Sequence, residues 1–149
     1  MTLITVTEPV TNAIYRATDE VARLGHDTMR AEHILMGLLA LDTGLASEVM
    51  NSLGVDRLAI RARIEPLLPA RVTFDRQAEY RYDASGRAVL ENAVAAAGGW
   101  DAGERMTSAG VLLGILELDN ALLLGAIAGT GVDLSLLRSR LEARATDFE

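Results

Sequence analysis

The chain has 149 residues, 50% of them hydrophobic and 4% aromatic, with 14 basic and 21 acidic side chains and a formal net charge of −7. This length is sufficient to bury a core, and the acidic balance argues against a general nucleic-acid binder. The absence of cysteine excludes disulfides and thiolate metal sites. All 14 basic residues are arginines, which excludes lysine-dependent chemistry as well.

The sequence also gives no signal for a membrane segment. No stretch reaches the roughly 18 uninterrupted apolar residues of a transmembrane helix, and the first residues do not form a basic leader followed by an apolar run. We therefore expect a soluble, cytoplasmic protein that contacts neither membranes nor nucleic acids.

The first half of the chain predicts four short helices. The first begins after Thr7, a favourable N-cap residue, and ends at Gly25. The second contains Ile34 and Leu38 on one face, and Gly54 closes the third. Asp56 then caps a fourth helix. Apolar residues recur at helical spacing in the first of them: Val10, Ala13, Ile14, Ala17, Val21 and Leu24.

The second half predicts four more helices, over about 84–97, 108–119, 121–128 and 134–145. Their candidate caps are Asp83, Thr107 or Ser108, Asn120 and Asp133. The stretch 66–82 has two prolines and broken periodicity, so we place a linker at about 69–81. The sequence contains no convincing strand signal.

The two halves are copies of one unit. Residues 31–42, AEHILMGLLALD, match residues 108–119, SAGVLLGILELD, 77 positions later, and LGVD at 53–56 falls on TGVD at 130–133. Upstream the offset is 76, with Ala17 on Ala93. The predicted fold is therefore all-α, a pseudo-twofold duplication of a four-helix unit with about eight helices. One domain spans 1–149, with repeat 1 at about 6–68 and repeat 2 at about 82–145.

Three motifs of the first copy carry a family resemblance: LGH at 24–26, EHILMGLL at 32–39 and LGVD at 53–56. They resemble the Clp N-terminal (Clp R) domain, the double-repeat module at the front of ClpA- and ClpC-type AAA+ unfoldases. The resemblance implies a protein- or peptide-binding module of protein quality control that is not an enzyme. Because the chain contains no G-x-x-x-x-G-K-[ST] phosphate loop, it is either part of a larger protein or a free-standing domain.

In this family, ClpC-type domains bind arginine-phosphorylated proteins, which implies a ligand site at Glu32, Arg30 and Thr28. The carboxylate of Glu32 would accept hydrogen bonds from the guanidinium, while Arg30 and the helix N-terminus near Ala31 would attract the phosphate. Alternatively, Glu32 only complements the helix dipole. The second copy has Ala109 in place of Glu32, so the resemblance implies one such site rather than two.

The family also binds peptides and cyclic-peptide antibiotics on a hydrophobic surface between the repeats. The matching positions here are Leu3, Val6 and Tyr82, with Arg87 nearby. An apolar groove with a polar rim is typical of such sites. The alternative is that these residues simply pack the two repeats against each other.

The two histidines, His26 and His33, do not form a metal site, because a hydrolytic zinc site needs about three suitably spaced ligands. We interpret them as capping or core-edge hydrogen-bonding residues. The sequence contains no recognisable catalytic residues, and we expect no metal and no cofactor. Two functions remain open: substrate or adaptor recognition for a Clp AAA+ unfoldase, or sequestration of cyclic-peptide antibiotics or substrates by a free-standing protein.

Overall fold

The computed structural model describes residues 5–69, 81–99 and 104–149. Repeat 1 contains four α-helices: α1 (Glu8–Arg23), α2 (Ala31–Leu39), α3 (Leu45–Ser52) and α4 (Arg57–Ile64), followed by a 3₁₀ turn at Glu65–Leu67. Gly25 and Gly54 adopt φ angles of 69° and 66° just beyond α1 and α3, the left-handed conformation in which helices commonly end. Most of the predicted linker, residues 70–80, lies outside the described residues.

Repeat 2 repeats this order with α5 (Ala84–Ala96), α6 (Ser108–Leu116), α7 (Ala121–Ala128) and α8 (Leu134–Arg144). The predicted caps are confirmed, because Asp83, Thr107, Asn120 and Asp133 each accept a hydrogen bond from a first-turn backbone N–H. Asp56 caps α4 in the same way. The all-α duplication predicted from the sequence is thereby confirmed.

Thr7 differs from these caps. It occupies the N-cap position of α1, but its hydroxyl makes no capping hydrogen bond and instead donates to Glu149, 2.6 Å away. The prediction that Thr7 caps α1 with its side chain was therefore wrong.

The prediction that the chain has no strands was also wrong. The described residues contain four strands of two residues each: β1 (Thr5–Val6), β2 (Thr28–Met29), β3 (Arg81–Tyr82) and β4 (Arg105–Met106). Strand β1 pairs in parallel with β4, and β2 pairs in parallel with β3. Each pair joins a strand of one repeat to a strand of the other. The short strands therefore hold the N-terminus of α1 next to that of α6, and the N-terminus of α2 next to that of α5.

The core lies around the two central helices, α2 and α6, because all nine residues of each are buried. Helix α1 packs on α2 and α5 packs on α6, while α2 and α6 contact each other. Within the described residues no single helix is long and apolar enough to cross a membrane; one bent pair, Ser108–Leu116 with Ala121–Ala128 at 114°, meets the length and hydropathy requirements jointly.

Candidate functional site

The three residues predicted to bind phosphoarginine lie at the junction of β2 and α2. Thr28 is half-buried in β2, Arg30 is the N-cap residue of α2, and Glu32 lies in the first turn with 4% of its surface exposed. The Arg30 Nε atom lies 3.6 Å from Glu32 Oε2, too far for a hydrogen bond. Neither of these two buried atoms has a hydrogen-bond partner in the described part of the chain.

A second carboxylate approaches Arg30 from repeat 2. The Asp83 Oδ2 atom, at the N-cap of α5, lies 3.7 Å from the Arg30 NH1 atom. The guanidinium of Arg30 thus lies between two carboxylates, one from each repeat. The site combines a buried acceptor, Glu32, with a half-buried cation, Arg30, and this arrangement suits a ligand that carries both charges.

The helix N-terminus is already used in part. The backbone N–H of Ala31 donates to the Ser85 hydroxyl at 3.0 Å, and that of Arg30 donates to His33 Nδ1 at 2.9 Å. The expectation that free N–H groups near Ala31 would bind phosphate is therefore wrong for Ala31. The binding of a phosphate group at this site would depend more on the charge of Arg30 than on the backbone N–H of Ala31.

The two histidines form a buried hydrogen-bond chain beside the site. Because Arg30 N–H donates to His33 Nδ1, the neutral ring of His33 carries its proton on Nε2. That proton points to His26 Nδ1, 2.9 Å away, and His26 Nε2 in turn donates to the Pro69 carbonyl oxygen at 2.9 Å. This chain of hydrogen bonds links the start of α2 to the segment after α4. The predicted capping and core-edge roles of both histidines are confirmed.

The environment of His33 strongly favours its neutral form. The residue is fully buried, with no exposed surface. The pKa of His33 is lowered from 6.5 to about 4, chiefly by burial and also by the charges of His26 and Arg30. Asp83 and Glu20 oppose this effect. Protonation would also place an N–H on Nδ1 facing the Arg30 N–H, so the hydrogen-bond chain requires a neutral ring.

The predicted peptide groove is divided between the two sheets. Val6, 45% exposed, lies in β1, which pairs with β4, whereas Tyr82 is half-buried in β3, which pairs with β2. Arg87 is exposed on α5, and Leu3 lies outside the described residues. Burial raises the pKa of the Tyr82 hydroxyl. The groove itself stays a prediction.

One contact between the repeats was not predicted from the sequence: the LGVD motif of repeat 1 and the TGVD motif of repeat 2 meet in space. Leu53–Asp56 and Thr130–Asp133, which are equivalent in the two copies, line one shallow cleft of about 210 Å³ together with Leu136. The match of LGVD at 53–56 to TGVD at 130–133 could have indicated this contact, since equivalent loops of a pseudo-twofold pair can meet at the axis. Among the described residues no group of three histidine or acidic side chains could hold a metal ion.

Comparison with known proteins agrees with this architecture. The family model of the "Clp repeat (R) N-terminal domain" matches residues 5–123. An "ATP-dependent Clp protease ATP-binding subunit ClpA homolog" from Cyanidium caldarium is 27% identical over an alignment of 140 residues, which covers 91% of this chain and 16% of the relative. One from Guillardia theta is 37% identical over 62 residues, 42% of this chain and 8% of the relative.

The fold is also shared with a solved structure, the N-terminal domain of the chaperone ClpD from Arabidopsis thaliana. It has a TM-score of 0.68 at 19% identity and covers 93% of each chain. The chain spans 16% or less of the length of the two curated relatives named above. The family match covers most of the sequence and agrees with the duplicated helical fold, and the chain therefore belongs to the Clp repeat (R) N-terminal domain family.

Proposed function

We propose that the chain is a non-enzymatic module that binds proteins or peptides in Clp-type protein quality control, and that repeat 1 binds phosphoarginine. The observation that carries the second part is the Glu32 Oε2 atom. It is buried and has no hydrogen-bond partner among the described residues. A buried carboxylate oxygen without a partner is costly, and the N–H groups of a ligand guanidinium would satisfy it.

The other residues of the site have separate roles in this proposal. Arg30 contacts the phosphate, and Thr28 borders the site from β2. Since Arg30 and Asp83 come from different repeats, the ligand would lie where the repeats meet. Repeat 2 has Ala109, fully buried, in place of the carboxylate, so we expect one ligand for each chain.

We expect Glu32→Gln to lower phosphoarginine affinity at least tenfold, because the amide keeps the shape but loses the charge-assisted hydrogen bonds. Isothermal titration calorimetry with free phosphoarginine measures this. Glu91→Gln, at an exposed position of α5, is the matched control and should bind like the wild type. Equal affinities of Glu32→Gln and the control would refute the assignment of Glu32.

Arg30→Ala tests the second residue in the same assay. If Arg30 contacts the phosphate, its removal weakens binding. Tighter binding would show instead that Arg30 competes with the ligand guanidinium for Glu32, and would remove Arg30 from the ligand set.

The partner of the module is tested separately. We propose that it delivers clients to a Clp AAA+ unfoldase, in which case it should co-purify with the assembled ring and speed degradation of an arginine-phosphorylated substrate. Tight binding of a cyclic-peptide antibiotic or substrate without ring association would favour the alternative, sequestration without delivery. Cytoplasmic location is part of this proposal, and fractionation of cells tests it.

A further inference from the structure

The segment after α8 returns to the junction of the two repeats and places the Glu149 carboxylate among four hydrogen-bond donors. Its Oε1 atom accepts from the Thr7 hydroxyl at 2.6 Å and from the Ser108 backbone N–H at 2.5 Å. Its Oε2 atom accepts from the Leu45 backbone N–H at 2.7 Å and from the Ser108 hydroxyl at 2.6 Å. We call these four donors the carboxylate cradle.

The cradle is assembled from both repeats. Thr7 precedes α1, Leu45 is the first residue of α3, and Ser108 is the first residue of α6. Three helix N-termini therefore converge on one carboxylate, and each contributes the positive end of its dipole. The four donors give each carboxylate oxygen two hydrogen bonds, which replace the hydrogen bonds to water that the carboxylate loses on burial. The carboxylate is thus held as a bound ligand would be held.

Comparison of the repeats shows why repeat 2 needs an acceptor from elsewhere. The equivalent of Ser108 in repeat 1 is Ala31, whose N–H donates to the Ser85 hydroxyl on α5. At the offset of 76, the counterpart of Ser85 on α1 is Pro9, which has no polar side-chain atom. Repeat 2 therefore supplies the acceptor for this N–H of repeat 1, whereas repeat 1 supplies none in return, and the Ser108 N–H donates to the side chain of Glu149 instead.

The segment begins at Ala145, which is buried and whose carbonyl oxygen accepts from the Thr107 hydroxyl at 2.5 Å, whereas the residues that follow make weaker contacts at the surface. Asp147 accepts from Arg144 Nε at 3.2 Å, on a partly exposed pair, and the Arg105 guanidinium lies 3.5 Å from the ring centroid of Phe148, which is 83% exposed. Exposed ion pairs contribute little to stability. Beyond Ala145, most of the attachment therefore depends on the Glu149 carboxylate itself.

We propose that the cradle is a carboxylate-binding site that Glu149 closes from within the chain, and that an acidic side chain of a partner protein occupies it when this segment is withdrawn. The surroundings select a single negative charge. Glu8 and Glu48 line the same cleft as Glu149, and their charges would repel a doubly charged phosphate more than a carboxylate. This site is separate from the proposed phosphoarginine site of repeat 1.

The test removes the internal ligand and offers a small substitute. We expect Glu149→Ala to lower the melting temperature by about 5 °C, because the charged hydrogen bonds are lost. Sodium formate should then raise the melting temperature of the variant above its value in sodium chloride of equal ionic strength, and should leave the wild type unchanged. Glu142→Ala, at an exposed position of α8, is the matched control and should resemble the wild type.

Amide chemical shifts provide a readout that does not depend on stability. In Glu149→Ala, formate should shift the Leu45 and Ser108 amide signals saturably, and it should not do so in the wild type. If Glu149→Ala does not fold in sodium chloride, sodium formate of equal ionic strength should restore its helical circular dichroism signal, and the same chemical shifts are then read in formate. The proposal is overturned if formate acts no differently from chloride on the variant, or if inorganic phosphate at neutral pH binds the variant as well as formate does.

Discussion

Gly37→Ala is expected to destabilise the protein by about 3 kcal/mol or more, which corresponds to a fall in melting temperature of about 10 °C. Gly37 lies in α2 where this helix crosses α1. A Cβ atom at this position would overlap the carbonyl oxygen of Ala13 and lie 3.1 Å from the Ala17 backbone nitrogen. Both neighbours are helical backbone, so relief requires the two helices to move apart. That movement would disturb a core in which Ala13 and Ala17 are almost fully buried.

The chain offers a matched control for this substitution. Gly125 also lies within a helix, α7, but a Cβ atom there meets nothing within 4 Å. Gly125→Ala should therefore stabilise the protein by up to about 1 kcal/mol, because alanine is the better helix former. Urea denaturation of the three proteins measures both effects. If Gly37→Ala is as stable as Gly125→Ala, the close crossing of α1 and α2 is wrong.

Gly114, the repeat-2 equivalent of Gly37, lies at a similar crossing of α5 and α6. A Cβ atom there would lie 2.6 Å from the carbonyl oxygen of Val89. The same glycine thus solves the same packing problem in both repeats. Close approach of two helix backbones leaves no room for a side chain, which is why glycine recurs at these positions.

The second large effect concerns His33 and pH. We expect the free energy of unfolding to fall as pH decreases from about 6.5 to about 4, by as much as about 3 kcal/mol. The pKa of His33 is lowered in the folded protein, so the unfolded state takes up the proton first. This contribution is therefore fully present above the unfolded pKa of 6.5 and is lost as pH falls toward the folded pKa of about 4.

Two measurements check this prediction. Proton NMR should show the His33 ring neutral down to about pH 5. In His33→Asn, the amide oxygen can still accept from the Arg30 N–H, but no group at this position titrates. This variant should be less stable than the wild type at pH 7.5 and should approach it at pH 4.5. A stability difference that is the same at both pH values would contradict the role of His33.

The helices and their caps could be predicted because the signals are local. A cap such as Asp133 lies three residues from the N–H that it accepts, and the apolar period lies within one helix. The strands could not be predicted, because two residues are too few to show an alternating pattern. Their partners come from the other repeat: Val6 pairs with Met106, 100 residues away.

In the candidate site, too, local features could be predicted from the sequence and long-range contacts could not. Glu32 was found through its motif, yet its burial and the approach of Asp83 to Arg30 depend on how β2 pairs with β3. Glu149 was not found at all, because nothing in its neighbourhood along the chain marks it as a ligand. Its donors Thr7, Leu45 and Ser108 are 142, 104 and 41 residues away.

By itself the sequence determined that the chain is an acidic, lysine-free duplication of a four-helix unit, because composition, period and self-similarity are properties of the chain read in order. The tertiary structure decided which polar groups of each repeat are satisfied and by what. Two nearly equal repeats differ here because Ser85 and Pro9 occupy equivalent positions beside α2 and α6. Such a difference acts only when residues distant in sequence meet across the interface, where a buried N–H without an acceptor is costly.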